Sequence, residues 1–145
     1  GNYFKISNKY KDKFKHLVYP MPDKKTDTLG IHLTFDRTGI NKLGPDAKKL
    51  KDRYENYIVN EDLIDLFFNE ASKYIRDLSK NDLTPDYAGI RPKIDIKNSD
   101  KPDFYINHEI RSGLPKWINL IGIESPGITS CLSISDYITK LILNY

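Results

Sequence analysis

Short segments in the first third of this chain alternate between hydrophobic and polar residues, which is the period of a β-strand with one buried face. GNYFKI (1–6) and HLVYP (16–20) are predicted strands, and Pro20 ends the second. In LGIHLTF the apolar residues are Leu29, Ile31, Leu33 and Phe35. DRTG then makes a turn and INKLG returns, so residues 29–44 are predicted to form a β-hairpin with His32 and Thr34 on its polar face.

The segment NEDLIDLFFNEASKYIRDL (60–78) has apolar residues at three- and four-residue steps, which predicts a central helix with one face in the core. Asn60 is the expected N-cap, and Glu61 and Asp62 fall in the first turn, where the helix dipole favours acidic residues.

The second half of the chain is predicted to hold two more strands and a second helix. NDLTPD (81–86) breaks the chain, and Pro92 prevents a regular central strand in YAGIRPKIDI (87–96). FYINHEI (104–110) and WINLIGIE (117–124) are predicted strands, and a C-terminal helix follows from Ile128 onward. These elements predict one α+β domain.

Composition limits the classes of function. A 145-residue chain with 39% hydrophobic and 30% charged residues is globular, and its net charge of +3 is too small to indicate nucleic-acid binding. The densest basic stretch, KISNKYKDKFKH (5–16), has aromatic residues among its lysines that could stack on bases. A solvated edge strand protected by lysines is the favoured interpretation, so no nucleic-acid partner is expected.

A single cysteine, Cys131, excludes an internal disulfide and a cysteine-based zinc site, and fits a reducing compartment. No apolar run approaches the roughly 20 residues of a membrane span, and nothing resembles a signal peptide. We therefore expect a cytosolic protein. No His, Asp and Glu cluster has metal-ligand spacing, so no metal site is expected.

The turn in GIESPGIT (122–129) has the two glycines of a P-loop but lacks the Lys-Ser/Thr that must follow them. Unpaired N–H groups of Ile128, Thr129 and Ser130 at the helix start would suit an electron-rich atom, with Gly127 allowing close approach. A plain tight turn in which Thr129 or Ser130 caps the helix is favoured on spacing alone. Glu124 ends the preceding apolar strand, at the turn where such a ligand would bind. Its alternative role is to cap the loop that follows the strand.

Two other residues are candidates for chemistry. Arg91, between Ile90 and Pro92, could present its guanidinium to a carboxylate bidentately, or be an ordinary surface arginine. His32 could be a general base, although a histidine on the solvated face of a hairpin is the commoner case.

Four segments in order carry a resemblance to one family: LVYPMPD (17–23), LGIHLTFDRTGINKLGPDA (29–47), LTPDYAGIRPKI (83–94) and INLIGIESPGITSCLSI (118–134). Together they resemble the C-terminal half of FAD-dependent oxidoreductases of the D-amino-acid oxidase superfamily. Within it they are most similar to the branch of L-2-hydroxyglutarate dehydrogenase-like and glycine-oxidase-like proteins.

The resemblance implies a fold and a site. The fold is α+β: a mixed or antiparallel substrate-binding sheet with one central helix over about 1–116, then the last strand and C-terminal helix of an FAD domain over about 117–145. A small 2-hydroxy or amino acid would bind through its carboxylate to Arg91, with Tyr87 and Thr34 beside it and His32 as a catalytic residue. The residues facing the flavin of FAD would be Glu124, Ser125, Pro126, Gly127, Ile128, Thr129 and Ser130.

One family motif is missing from this sequence. No three of the eight glycines have the Gly-x-Gly-x-x-Gly spacing that cradles the FAD pyrophosphate. The chain alone should therefore bind FAD weakly or not at all, and the final strand and helix should expose apolar surface. The expected partners are a separate N-terminal FAD-binding chain or a second copy in a homodimer. The alternative is a non-catalytic remnant of a split flavoprotein gene that folds and self-associates.

Overall fold

A computed structural model describes residues 1–21, 30–52, 54–94 and 103–144 of the chain. They fall into two compact units, Gly1–Ile90 and Arg91–Tyr145, each of which is described by itself. The predicted boundary between residues 116 and 117 stays a prediction. In the described residues no helix has both the length and the apolar character needed to cross a membrane.

The first unit is built on a four-stranded antiparallel sheet with the order β2-β3-β1-β4. Its strands are β1 (Asn2–Ile6), β2 (His32–Phe35), β3 (Asn41–Gly44) and β4 (Leu83–Ala88). β2 and β3 form the predicted hairpin, as far as residues 30–44 are concerned; Leu29 lies outside the described residues. One face of the sheet carries the core with Phe4 and Leu33, both fully buried.

The central helix, α1 (Ile64–Ala71), is shorter than its sequence pattern predicts. Asn60 is the N-cap as expected, but its side chain accepts from the N–H of Asp62 at the start of a 3₁₀ turn, Glu61–Leu63. After Ala71 the chain continues in turns, and Ile75 still packs into the core. The three- and four-residue spacing therefore persists beyond the helix itself.

Two predictions about strands in this unit are wrong. HLVYP forms no strand: Val18 makes one isolated bridge to Leu33, and Pro20, two residues on, has no N–H to extend the pairing. NDLTPD does not break the sheet, because β4 begins at Leu83 and includes Pro85. Among the described strands β4 pairs with β1 alone and lies at the edge of the sheet, and an edge tolerates a proline.

The second unit holds an antiparallel strand pair and the C-terminal helix. The strands are β5 (Tyr105–His108) and β6 (Ile118–Ile121), and the helix is α2 (Cys131–Leu143). β6 ends at Ile121, before the predicted end at Glu124, because Gly122 takes a positive φ of 69°. The predicted α+β class, with antiparallel sheets, one central helix and one C-terminal helix, is confirmed.

Candidate functional site

The sheet of the first unit carries three predicted site residues: His32 and Thr34 on β2, and Tyr87 on β4. Because Leu33 points into the core, its neighbours His32 and Thr34 belong to the opposite face. That face is not simply solvated. Only 7% of His32 is exposed, and the Tyr19 ring lies 4.0 Å from its imidazole, tilted by 43°. Its catalytic role stays a prediction, but His32 is a buried residue rather than a solvent-facing one.

Lys42 on β3 connects the other two predicted residues. Thr34 is its cross-strand partner on β2, and its ammonium lies 5.0 Å from the centre of the Tyr87 ring. The same ammonium pairs with Asp86 Oδ2 at 2.7 Å and with Asp36 Oδ2 at 3.7 Å. The hydrogen bond to Asp86 is the main cause that raises the pKa of Lys42 above its ordinary value. Lys42 was not predicted as a site residue. The one sequence signal for its position on this face is that it lies between residues of the opposite, buried face.

Tyr87 is further fixed by the N-terminal strand. Its ring stacks on Tyr3, with centroids 4.4 Å apart and planes 12° from parallel.

β1 is an inner strand between β3 and β4, so the prediction of a solvated, lysine-protected edge strand is wrong. Tyr10 of the basic stretch and Phe4, which precedes it, lie in the core, so neither ring can stack on a base.

In the second unit, Arg91 and Glu124 come together although 33 positions separate them in sequence. Arg91 Nε lies 3.3 Å from Glu124 Oε2, and Lys93 Nζ donates to Glu124 Oε1 at 2.9 Å. A Cβ on Gly122 would come within 2.1 Å of Ile94 Cγ1, so the glycine allows segment 91–94 to lie against the end of β6. A predicted substrate residue and a predicted cofactor residue thus form one ion-pair cluster.

Some backbone N–H groups of the turn before α2 donate to carbonyl groups of the same turn. The N–H of Gly127 donates to the Glu124 carbonyl, and the N–H of Ser130 donates to the Pro126 carbonyl at 3.0 Å. Ser130 is the N-cap, but its hydroxyl also turns to Pro126 and makes no capping bond. Within the described part of the chain, the N–H groups of Ile128 and Thr129 have no such acceptor. The predicted set of three donors is therefore reduced to two.

α2 exposes the apolar surface that was predicted for the final helix. None of its residues is buried. Leu132 and Leu143 are 83% and 78% exposed, and Ile128 just before the helix is 92% exposed.

Glu109 is a second residue that the sequence did not single out. It is 7% exposed and lies in a 3₁₀ turn directly after β5. Its carboxylate accepts hydrogen bonds from Asn119 at 2.8 Å, Tyr105 at 2.9 Å and Ser112 at 2.9 Å. These donors, Asn119 foremost, lower the pKa of Glu109 to about 2. Glu109 and these three donors form a polar cluster, which joins the 3₁₀ turn after β5 to β6 and has a structural role.

One cleft in each unit can be described, and neither is lined by a predicted site residue. One of about 250 Å³ lies in the second unit beside Arg111 and Tyr137. The other, of about 430 Å³, lies in the first unit beside Phe14 and Arg76. No group of three His, Cys, Asp or Glu side chains suited to a metal ion occurs in the described segments.

Comparisons with known proteins test the family resemblance that was drawn from the four sequence segments. No family model matches the chain. It is 38% identical over 151 residues to the mitochondrial L-2-hydroxyglutarate dehydrogenase of Arabidopsis thaliana, covering 99% of this chain and 31% of that enzyme. Glycerol 3-phosphate dehydrogenase of Caloramator mitchellensis is 26% identical, with 99% and 28% covered. L-2-hydroxyglutarate dehydrogenase of Salmonella houtenae is 25% identical, with 98% and 40% covered.

These matches extend over nearly the whole chain, which confirms the resemblance drawn from the four sequence segments. The chain spans about a third of the length of the curated relatives it matches.

Proposed function

We propose that this chain, homologous throughout to part of L-2-hydroxyglutarate dehydrogenase, is the substrate- and flavin-facing part of an FAD-dependent oxidoreductase acting on a small 2-hydroxy or amino acid. The observation that carries the proposal is the 38% identity to the Arabidopsis enzyme across 99% of the chain. FAD binding and activity would require the N-terminal half of such an enzyme.

The Arg91 cluster supports the carboxylate part of this proposal. Glu124 contacts the guanidinium through Nε, and 54% of the Arg91 side chain is exposed. More than half of the side chain is thus open to solvent, and a planar guanidinium can bind a substrate carboxylate bidentately.

The two N–H groups in the turn before α2 support a contact with one edge of a flavin. The N–H groups of Ile128 and Thr129 would hold electron-rich atoms of the ring, and the start of α2 would favour negative charge there. When bound, FAD would supply the redox chemistry. The residues of this chain would bind and orient the substrate carboxylate.

Complementation tests the proposal. The purified chain is mixed with a polypeptide comprising the part of the Arabidopsis relative that this chain does not match, and FAD binding is followed by flavin fluorescence. We expect weak or no binding by this chain alone, tighter binding by the mixture than by the N-terminal polypeptide alone, and dye reduction by the mixture that depends on 2-hydroxyglutarate. Arg91→Lys should raise the KM because the planar fork is lost. Arg111→Lys, another exposed arginine of the same unit, is the matched control.

A complex that binds FAD but whose KM is unchanged by Arg91→Lys would remove Arg91 from the proposal. A mixture that neither associates nor binds FAD would favour the second candidate function, a non-catalytic remnant that associates with itself. The exposed apolar surface of α2 supports that candidate too, because a second copy could cover it.

A further inference from the structure

The cleft of about 430 Å³ in the first unit has a floor of large apolar side chains. Two segments that are distant in sequence line it, with the residues Tyr10, Lys13, Phe14, Tyr74, Ile75, Arg76 and Asp77. Tyr10 and Ile75 belong to the hydrophobic core. Phe14 and Tyr74 pack against that core. A cleft of this volume with aromatic walls suits a small organic molecule.

The two tyrosines of the cleft are held in place by their own hydroxyl groups. The Tyr10 hydroxyl donates to the Asp77 carbonyl at 2.6 Å, and Tyr10 is 1% exposed. The Tyr74 hydroxyl donates to the Ile31 carbonyl at 2.9 Å. Because both hydroxyl protons are engaged within the protein, the rings offer a ligand apolar surface and no donor. An ionic group of a ligand must therefore be bound by other side chains.

Two cations, Lys13 and Arg76, stand at the rim of the cleft. The Lys13 ammonium lies 4.7 Å from the centre of the Tyr10 ring, next to the aromatic floor. Arg76 is exposed, and neither cation has an ion pair within the described part of the chain. The lining residues that the structure describes include one acid, Asp77, against these two cations. The rim therefore keeps a net charge of +1.

An apolar floor beside one net positive charge suits an aromatic monoanion. Its rings would lie on the aromatic floor, and its carboxylate would meet the Arg76 guanidinium bidentately, with Lys13 as the second cation. A phosphate group would bring a second negative charge that the rim does not balance. Asp82, a further acid at the Tyr10 hydroxyl, is already paired with Lys9 at 2.8 Å and so does not oppose the ligand.

We propose that this cleft binds a small aromatic carboxylate, with Arg76 and Lys13 holding the carboxylate. The cleft borders the core, which lies on the face of the sheet opposite to His32 and Thr34. It is therefore separate from the predicted substrate residues of that sheet, and the inference does not rest on the proposed function. The carboxylate should be preferred over a neutral analogue about fivefold in affinity, the value of a partly exposed ion pair.

The test is an NMR titration of the chain with 2-naphthoate and with 2-naphthamide, which has the same rings but no charge. We expect the wild-type chain to bind the acid about fivefold more tightly, with the largest shifts in the amides of residues 10–14 and 74–77. The double variant Lys13→Gln/Arg76→Gln should abolish that preference while leaving the affinity for the amide unchanged. The matched control is Lys11→Gln, which removes an exposed lysine outside the lining and should keep the full preference.

The other outcomes overturn the proposal. Binding of neither ligand, or equal affinity of the wild-type chain for both, would remove the site. A preference that survives the double variant would show that the rim cations do not cause it. Weaker binding of 2-naphthoate after Arg91→Lys, or shifts confined to α2, would place the ligand elsewhere. Phe14→Leu should weaken both ligands equally, because it removes a ring from the floor and no charge.

An unchanged affinity of Phe14→Leu for both ligands would contradict the aromatic floor. Since Arg91→Lys should leave both affinities as they are, failure of this inference is distinct from failure of the proposed function.

Discussion

Replacing Lys42 with Met should destabilise the first unit, because this lysine joins β3 to the edge strand β4. It removes the 2.7 Å ion pair with Asp86, in which the two side chains are 20% and 21% exposed. A pair at that exposure is worth about 1 kcal/mol. The 5.0 Å cation–π contact with Tyr87 adds about 0.5 to 1 kcal/mol. Met keeps most of the aliphatic stem, so we expect a loss of about 1.5 to 2 kcal/mol in the free energy of unfolding.

The assay must report on the first unit alone. The single tryptophan, Trp117, lies in the second unit, so its fluorescence would miss the effect. Native-state hydrogen exchange of the β1 and β3 amides, followed by NMR, measures the free energy directly. The matched control is Lys5→Met, because Lys5 is the cross-strand neighbour of Lys42, is exposed, and has no ion pair among the described residues. The control should change the stability by less than about 0.5 kcal/mol.

The pH dependence gives a second test of the same ion pair. The pKa of Lys42 is raised in the folded chain, mainly by its hydrogen bond with Asp86. The stabilisation is therefore fully present below the unfolded pKa of 10.5 and is lost as the pH rises through the folded value. The difference between wild type and Lys42→Met should stay constant from neutral pH to near 10.5 and shrink above it. Equal effects of Lys42→Met and Lys5→Met would refute the reasoning.

Three further predictions concern the polar cluster around Glu109, the core of the first unit and the helix α2. Since the pKa of Glu109 falls to about 2, its ionised form stabilises the second unit above pH 4.5, and this contribution is lost as the pH falls towards 2. Glu109→Gln should remove that acid dependence from the Trp117-monitored urea midpoint, and an unchanged dependence would contradict the assignment. Phe67→Ala deletes a fully buried ring 4.5 Å from Phe4 and should cost about 3 to 5 kcal/mol by circular dichroism, whereas Phe67→Leu should cost less. If the chain associates with itself through α2, Leu132→Ser should lower its mass in sedimentation at high concentration without lowering its melting temperature; an unchanged mass would exclude α2 as the interface.

The sequence predicted elements whose signal is local and missed contacts between distant segments. The hairpin was predictable because Ile31 and Leu33 alternate with polar residues and a turn follows. β4 was missed because Pro85 argues against a strand unless the strand is known to lie at an edge, and edge position is a property of the whole sheet.

The same limit applies to the site. Motif resemblance singled out Arg91 and Glu124 separately, but nothing in the sequence pairs them with each other. The partners of Lys42 and Glu109 could not be predicted either, because a polar network is defined by side chains that only the folded chain brings together.

The state of α2 bears on two proposals together: that an N-terminal half covers this helix, and that the turn before it faces a flavin. A helix of 13 residues is marginal in water without tertiary support, and α2 buries none of its residues in the described chain. Its amides should therefore exchange rapidly with solvent in the free chain, and the turn at Ile128 and Thr129 should exchange with them. Binding of a complementary N-terminal chain over the apolar face should slow the exchange of both segments together, because the turn leads directly into the helix. Protection of α2 without protection of the turn would show that the two are not coupled, and would separate assembly of the two chains from formation of the flavin edge.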